Sequence, residues 1–294
     1  MSWKDNTNFN NINDLFKQLL DICEKNKLVA FRGQADKDWL LQTSLDRILD
    51  SKIDYSIRLA EESALIEKFC VLVREYVDSL ERNFLYRRLE NLPNVLMSSL
   101  AVMQHYHAPT RLLDWTSSPW VALYFAAIDH HDKPGAIWWF NQTSFEVEVR
   151  ERWKSEIHNM DRYRLPPKIG QVNLDATAFS TDGRCWITKL HYPIPFHRIE
   201  VQQGFFTVAG RLGFEHGELI ANIFDHRTIS EEVGQVENQY SRIIIPSLWK
   251  QEILDRLRNM CIYSKSLDYP GADIVGNYLT NALKHTYRNA NKVS

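Results

Sequence analysis

The stretch from Ser118 to Phe140 constrains the fold more than any other part of the chain. Ser118 is a good helix N-cap, and Pro119 suits the first helical turn, where its missing N–H would have no partner anyway. Val121, Ala122, Tyr124, Phe125 and Ile128 give that helix an apolar body. Lys133-Pro134-Gly135 stops it, and Ala136 to Phe140 reads as a strand. Leu28 to Phe31 is a second short apolar run, read as a buried strand ending at Arg32-Gly33.

The other elements extend this unit. Asn11 to Lys25 carries Ile12, Leu15, Phe16, Leu19, Leu20 and Cys23 in a helical stripe, with Asn13-Asp14 as its cap. Gln34 to Arg47 reads as loop with a short element. Residues 54 to 90 give one or two helices, with Leu65, Phe69, Val73 and Val77 at spacing four. Val95 to His107 is a further helix, and Pro109 with Asp114 to Ser118 marks a loop. Arg198 to Val208 alternates as a strand, Arg242 to Ile245 is a short strand, and Ser247 to Asn259 is a helix. Gly271 to Tyr287 reads as a last helix and Arg288 to Ser294 as a frayed tail. The expected class is α+β: a single domain with N-terminal helices packed on a modest mixed or antiparallel sheet.

The 294 residues contain no repeat, low-complexity tract or Pro/Ser linker, in keeping with one continuous domain. A net charge of -2 argues against a general electrostatic grip on nucleic acid. Cys23, Cys70, Cys185 and Cys261 are far apart and form no CxxC pair, which argues against zinc and against a disulfide framework. The opening MSWKDNTNFNN lacks the apolar core of a signal peptide, and no stretch approaches the ~18 apolar residues of a membrane span. The expectation is a cytoplasmic protein without a membrane partner and without a metal.

Three constellations carry candidate chemistry. Arg32 at a strand end can offer a bidentate fork to a phosphate, with Gly33 allowing close approach of the ligand. Its alternative role is an ion pair with Asp36 or Asp114. The second constellation is Gln104-His105-Tyr106-His107 followed by Pro109 to Ser118. His105 and His107 cannot share a helical face, so they support a metal site weakly. Arg111 and Asp114 read as an ion pair fixing a loop, with Asp114 equally placed to face a ligand. Thr116, Ser117 and Ser118 precede a helix N-terminus, where free N–H groups attract anions or take a cap. In the third, Arg198 to Phe206, strand alternation sends Gln202 and Gln203 to opposite faces, one of them toward a cleft. Trp115, Trp120, Trp138 and Trp139 are core material or stacking platforms. No P-loop, G-x-S-x-G elbow, H-E-x-x-H or Rossmann glycine pattern is present, which leaves ordinary hydrolase chemistry without support.

Taken together, these pieces resemble the FRG-domain family, named for its (F/Y)RG motif. Phe31-Arg32-Gly33-Gln34 is followed by Trp39-x-Leu41 and Ser44-Leu45-x-Arg47, then by Gln104-His105-Tyr106. Pro109-Thr110-Arg111-Leu112-Leu113-Asp114-Trp115-Thr116 and Ala122-Leu123-Tyr124-Phe125-Ala126 come next, then Arg198-Ile199 and Gln203-Gly204-x-Phe206. Asp268-Tyr269-Pro270-Gly271-Ala272-Asp273 is similar to the family's closing turn. The resemblance assigns residues 27–276 to the domain, with 141–190 as an insertion or lid. Residues 1–26 are then an N-terminal helical segment, and 277–294 the end of the last helix with the tail.

A weaker resemblance, to arginine-class ADP-ribosyltransferases, implies an activity. Those enzymes begin with an (F/Y)RG-type strand, continue with a Ser-Thr-Ser-like strand end before an Ala/Phe-rich helix, and finish with a Glu on a late strand. Arg32, Thr116-Ser117-Ser118 and Gln203 follow that order. The resemblance implies an ADP-ribosyltransferase-like or NAD glycohydrolase site, with Arg32, Asp114, Thr116 and Gln203 as catalytic groups. NAD would be held by Arg32, Gly33, Gln34, His105, Arg111, Trp115, Ser117 and Trp120, with NAD as substrate and an unidentified macromolecular target. Such a protein would be a toxin-like effector in bacterial stress or phage defence. Gln203 stands where the family has an acid, and an amide cannot supply a carboxylate's charge. Two alternatives therefore stand beside the enzyme: a nucleotide-binding sensor without turnover, and a nucleic-acid-processing enzyme.

Overall fold

The computed structural model describes residues 3–49, 53–76, 85, 95–158, 179, 186–190, 197–225 and 239–267. The strands are β1 (Asp5–Asn6), β2 (Val29–Gln34), β3 (Leu112–Thr116), β4 (Gly135–Asn141), β5 (Ile187–Leu190), β6 (Gly204–Ala209) and β7 (Tyr240–Ile245). They form one mixed sheet in the order β1-β7-β4-β2-β3-β6-β5. β1 runs parallel to β7, and the other neighbouring pairs are antiparallel. The fold is mixed α and β in a single domain, as expected.

The sheet is joined unevenly. β2 pairs with β4 from Val29 to Gln34, and β3 pairs with β6 from Leu112 to Thr116. Between β2 and β3 the register holds at a single pair, Phe31 with Thr116. The two halves of the sheet part beyond that point.

Nine α-helices pack around this frame among the described residues: α1 (Ile12–Lys25), α2 (Tyr55–Leu72), α3 (Val95–His105), α4 (Pro119–Ala127), α5 (Gln142–His158), α6 (His197–Val201), α7 (His216–Asp225), α8 (Lys250–Asn259) and α9 (Ser264–Leu267). On one face, α1, α4 and α8 cover β2, β4 and β7 through Leu15, Leu19, Phe31, Ala122, Ile243 and Ile253. On the same face, α2 and α3 cover β3 and β6 through Ile66, Leu100, Met103, Leu112, Phe206 and Val208. The opposite face is one continuous core, where Trp115, Trp138 and Phe140 meet Phe145 and Val149 of α5 and Ile220 and Phe224 of α7. No helix among the described residues is long and apolar enough to cross a membrane.

α4 is apolar on all sides because it is buried on all sides. The Ser118 hydroxyl accepts from the Val121 N–H, and Pro119 opens the helix as the sequence implies. The helix rests on two glycines: a Cβ at Gly33 would lie 1.8 Å from the Ala122 carbonyl oxygen, and one at Gly135 2.3 Å from that of Ala126. Gly33 thus serves the approach of a helix, where the sequence suggested the approach of a ligand. The buried Lys250 ammonium locks α8 onto this unit by donating to the carbonyls of Ala35 (2.6 Å), Asp129 (2.9 Å) and His130 (2.9 Å). Arg111 ties α2 to β3: its Nε donates to both carboxylate oxygens of Glu62 at 2.8 and 3.0 Å, and Nη2 donates to the same group.

Several sequence expectations need correction. Asp114 to Thr116 belong to β3, not to a loop, because Leu113 and Trp115 alternate into the core. Arg198 to Val208 is not one strand: α6 ends at Val201, Gln202 and Gln203 turn, and β6 starts at Gly204. Gln203 takes a positive φ of 49° at that turn. α1 is capped by Asn11 rather than by Asn13-Asp14. β1, a two-residue edge strand, and α7 stand outside the elements the sequence implies. The described ends of the 141–190 segment, α5 and β5, belong to the back layer and the sheet edge. The remainder of that segment, except Phe179 and Trp186, lies outside the described residues, as do the Asp268–Asp273 motif, the Gly271–Tyr287 helix and the tail.

Gly33→Ala is expected to destabilise the fold by roughly 3 kcal/mol or more, because its methyl would meet backbone that has nowhere to move. Gly204→Ala, whose methyl would find its nearest neighbours at 3.5 Å, is expected to stay within about 1 kcal/mol of wild type in the same urea titration. Glu62→Leu strands the buried Arg111 guanidinium and is expected to lose roughly 3–5 kcal/mol, most of it recovered in the Glu62→Leu/Arg111→Met double variant.

Candidate functional site

The parting of the sheet opens a chamber of about 230 Å³ between the two helical cores. Phe31, Val121 and Phe125 wall one side, and Ile199 and Phe206 the other. Arg32, Gln104, His105, His107, Asp114, Thr116 and Gln202 supply its polar surface.

Arg32 crosses the parting. Its Nη1 donates to the Asp114 carbonyl at 2.7 Å and lies 3.8 Å from Asp114 Oδ2. Its Nε is buried with no hydrogen-bond partner among the described residues. A buried unsatisfied donor costs about 1–3 kcal/mol, a penalty that a bound acceptor removes. Burial depresses the guanidinium pKa, the Asp114 carboxylate opposes that, and nearby Arg47 adds to it. The Arg32 side chain is 19% exposed and that of Asp114 54%, so the carboxylate stands at the open side.

Asp114 is held in one orientation. Gln104 Nε2 donates to its Oδ2 at 2.7 Å, and the Thr110 hydroxyl donates to Gln104 Oε1 at 2.5 Å. The Thr110 N–H in turn donates to the Ser44 hydroxyl at 3.0 Å. Gln104 was visible only as part of a motif. Its role comes from its position in the last turn of α3, opposite β3.

Residues 27–134 match the family model of the FRG domain. This chain carries an FRG domain. The matched segment holds Arg32, Gln104, Asp114 and α4, while Ile199, Gln202 and Phe206 complete the chamber from beyond it. No curated protein and no solved structure was found to match the chain.

Of the residues expected at the site, Arg32, Gly33, His105, Asp114, Trp115 and Thr116 line the FRG-domain chamber. Others fall elsewhere. Arg111 is buried on Glu62 of α2. The Trp115 indole points to the opposite face, where Nε1 donates to the Thr207 hydroxyl at 3.0 Å and the ring meets Phe140. Trp120 stacks on Phe16 of α1 at 5.2 Å. Neither indole is available as a platform in the chamber. The Thr116 hydroxyl is occupied by the Gln202 carbonyl (2.5 Å) and the Ser118 N–H (3.0 Å), which stitch β3 to the α6–β6 turn. Ser117 accompanies that turn, its N–H donating to the Gln203 carbonyl at 3.0 Å. Gln203 is exposed, and Gln202 lines the chamber in its place.

A second cavity, of about 680 Å³, lies beyond the C-terminal end of β2 and shares Arg32, Gly33 and Phe125 with the first. Gln34 belongs to this one, with its amide spent on the Leu40 carbonyl (3.1 Å) and the Trp138 indole N–H (2.7 Å). No group of three or more His, Cys, Asp or Glu side chains that could hold a metal occurs among the described residues.

Beneath the chamber, the buried His216 imidazole shares a hydrogen bond with the Thr207 hydroxyl at 2.9 Å. Burial, with the fields of Arg32 and Arg111, depresses its pKa to about 3. The folded state therefore binds fewer protons than the unfolded chain between the ordinary histidine pKa of about 6.5 and about 3. Stability is full above that window and is expected to fall as pH drops through it, by up to about 1.4 kcal/mol per pH unit. Glu215, whose pKa burial raises, acts in the opposite sense in the carboxyl range. Urea midpoints from pH 7 to 4 should fall more steeply for wild type than for His216→Gln, which keeps Glu215.

Proposed function

We propose that the FRG-domain protein binds NAD in the parted sheet and breaks the bond between nicotinamide and ribose, as an ADP-ribosyltransferase or NAD glycohydrolase. The observation that carries this reading is the pairing of Arg32 and Asp114 across one apolar-walled chamber. A guanidinium with an unsatisfied Nε suits a phosphate oxygen. A carboxylate fixed by Gln104 suits positive charge that develops at ribose C1′. In the step, the C1′–N bond breaks and its electron pair stays with nicotinamide. C1′ then bonds to a water oxygen, or to a nucleophile of the target, and a proton is released. Asp114 takes over the role that the resemblance gave to an acid at position 203. Loss of NAD depletes a cofactor shared by many pathways, which is the effect a toxin-like effector in bacterial stress or phage defence requires.

A second reading, binding of a nucleotide without turnover, draws on one observation: Asp114 is the single acidic side chain among the described residues lining the chamber. Incubation with NAD and candidate macromolecules, followed by measurement of free nicotinamide, separates the two. The enzyme reading expects release that falls about 100-fold in Asp114→Asn and in Arg32→Ala, with the Asp114→Asn thermal midpoint unchanged. NAD that binds by calorimetry and is recovered intact under every condition favours the sensor. A protein that neither binds nor cleaves NAD overturns both readings.

A further inference from the structure

We propose that the cavity lined by Arg47 and Trp39 is the subsite for the diphosphate and the second nucleoside of a dinucleotide, so that the ligand lies across Arg32 with one half in each cavity. The inference rests on the nucleotide reading of the chamber and names what that reading leaves open. Small-molecule sites run to roughly 300–1,000 Å³. The chamber, at about 230 Å³, is too small for a whole dinucleotide, whereas the second cavity, at about 680 Å³, is not. Arg32, Gly33 and Phe125 wall both, so the two cavities adjoin at Arg32.

The chemistry changes at that boundary. Arg47 lines the second cavity, is exposed, and donates through Nη1 to the Gln42 carbonyl at 2.9 Å. It forms no ion pair with a carboxylate among the described residues, and it lies close enough to Arg32 for the two charges to oppose each other. Two guanidiniums facing one cavity are stable together when an anion stands between them, and a diphosphate offers oxygens to each. Farther out, Trp39 is 45% exposed, its indole held edge-on against His130 at 5.1 Å. A half-exposed, braced indole on a cavity wall is a stacking surface for a base. Two carboxylates also line the cavity: Asp38 is paired with Lys37 at 2.7 Å, and Asp129 is an acceptor of the kind to which ribose hydroxyls donate.

Calorimetry with ADP-ribose and with nicotinamide mononucleotide tests this, because ADP-ribose lacks the bond that the proposed reaction breaks. Trp39 and Arg47 lie at the surface, so Trp39→Ala and Arg47→Ala are expected to keep the wild-type thermal midpoint. Each should weaken ADP-ribose by about tenfold or more and leave nicotinamide mononucleotide within about twofold, with Trp39→Phe restoring most of the loss. ADP-ribose affinity unchanged in both alanine variants overturns the subsite while the chamber reading stands. If wild-type protein binds neither ligand, the subsite and the chamber reading fall together.

Discussion

β2 and β3 touch at one residue pair, Phe31 with Thr116, and the rest of the structure is arranged around that meagre contact. A sheet opened between two strands would be weak if nothing else crossed the gap. Here the back face is continuous, so the aromatic core from Trp138 and Phe140 to Trp115 holds the two halves from behind. On the front, each half has its own helical layer, and the gap between those layers is the chamber. Arg32 reaches across the opening to the Asp114 carbonyl. Fold and site are therefore one feature: the pairing that the sheet forgoes is the space that a ligand can enter.

α4 shows how closely the two are tied. It lies on β2 and β4 because Gly33 and Gly135 have no side chains and Ala122 and Ala126 have small ones. That contact sets the height of Val121 and Phe125, which wall the chamber. The glycine after Arg32 thus acts on the site at one remove, through a helix rather than through a ligand. On the far side, Thr110, Gln104 and Ser44 fix Asp114 through a short hydrogen-bond chain. Both charged groups are positioned by packing that extends well outside the chamber.

Local chemistry was legible in the sequence, and pairing across distance was not. The α4 cap and the strands around Phe31 and Phe140 follow from residues a few positions apart, whereas the helix ends at Ala127, ahead of the expected Lys133-Pro134-Gly135 stop. The sequence pairs Arg111 with Asp114 three residues on, but the structure pairs it with Glu62, 49 residues away, to which no local pattern points. Asp114 and Thr116 resemble a loop because they are polar, yet they are one face of a strand at an opening, where polar side chains have room. The segment from Arg198 alternates as a strand would, and tertiary packing overrides it with a short helix and a turn. That turn is why Gln202, and not Gln203, reaches the chamber.

The order of charges along the opening bears on which ligand fits it. Arg47 lines the second cavity, Arg32 stands at the boundary between the two, and Asp114 follows on the chamber side. Among the described residues, Arg32 has one carboxylate near it, at 3.8 Å and more than half exposed, so solvent screens much of that attraction. Burial and Arg47 both work against its charge. The guanidinium is thus under-compensated on the side that faces away from Asp114, and a bound anion there restores the balance. Asp114 cannot serve that side, because Gln104 holds it toward the chamber. On the proposed reading, a ligand that is anionic at its centre and cationic at one end matches this sequence of charges. NAD has that form, with its diphosphate between the nucleosides and a positive pyridinium ring at one end. Cleavage removes the positive charge from the ring as the bond electrons move onto it, and the charge appears at ribose C1′ instead. On that proposal Asp114 would then face the group that has become cationic, which is where a fixed carboxylate lowers a barrier rather than merely tightening binding.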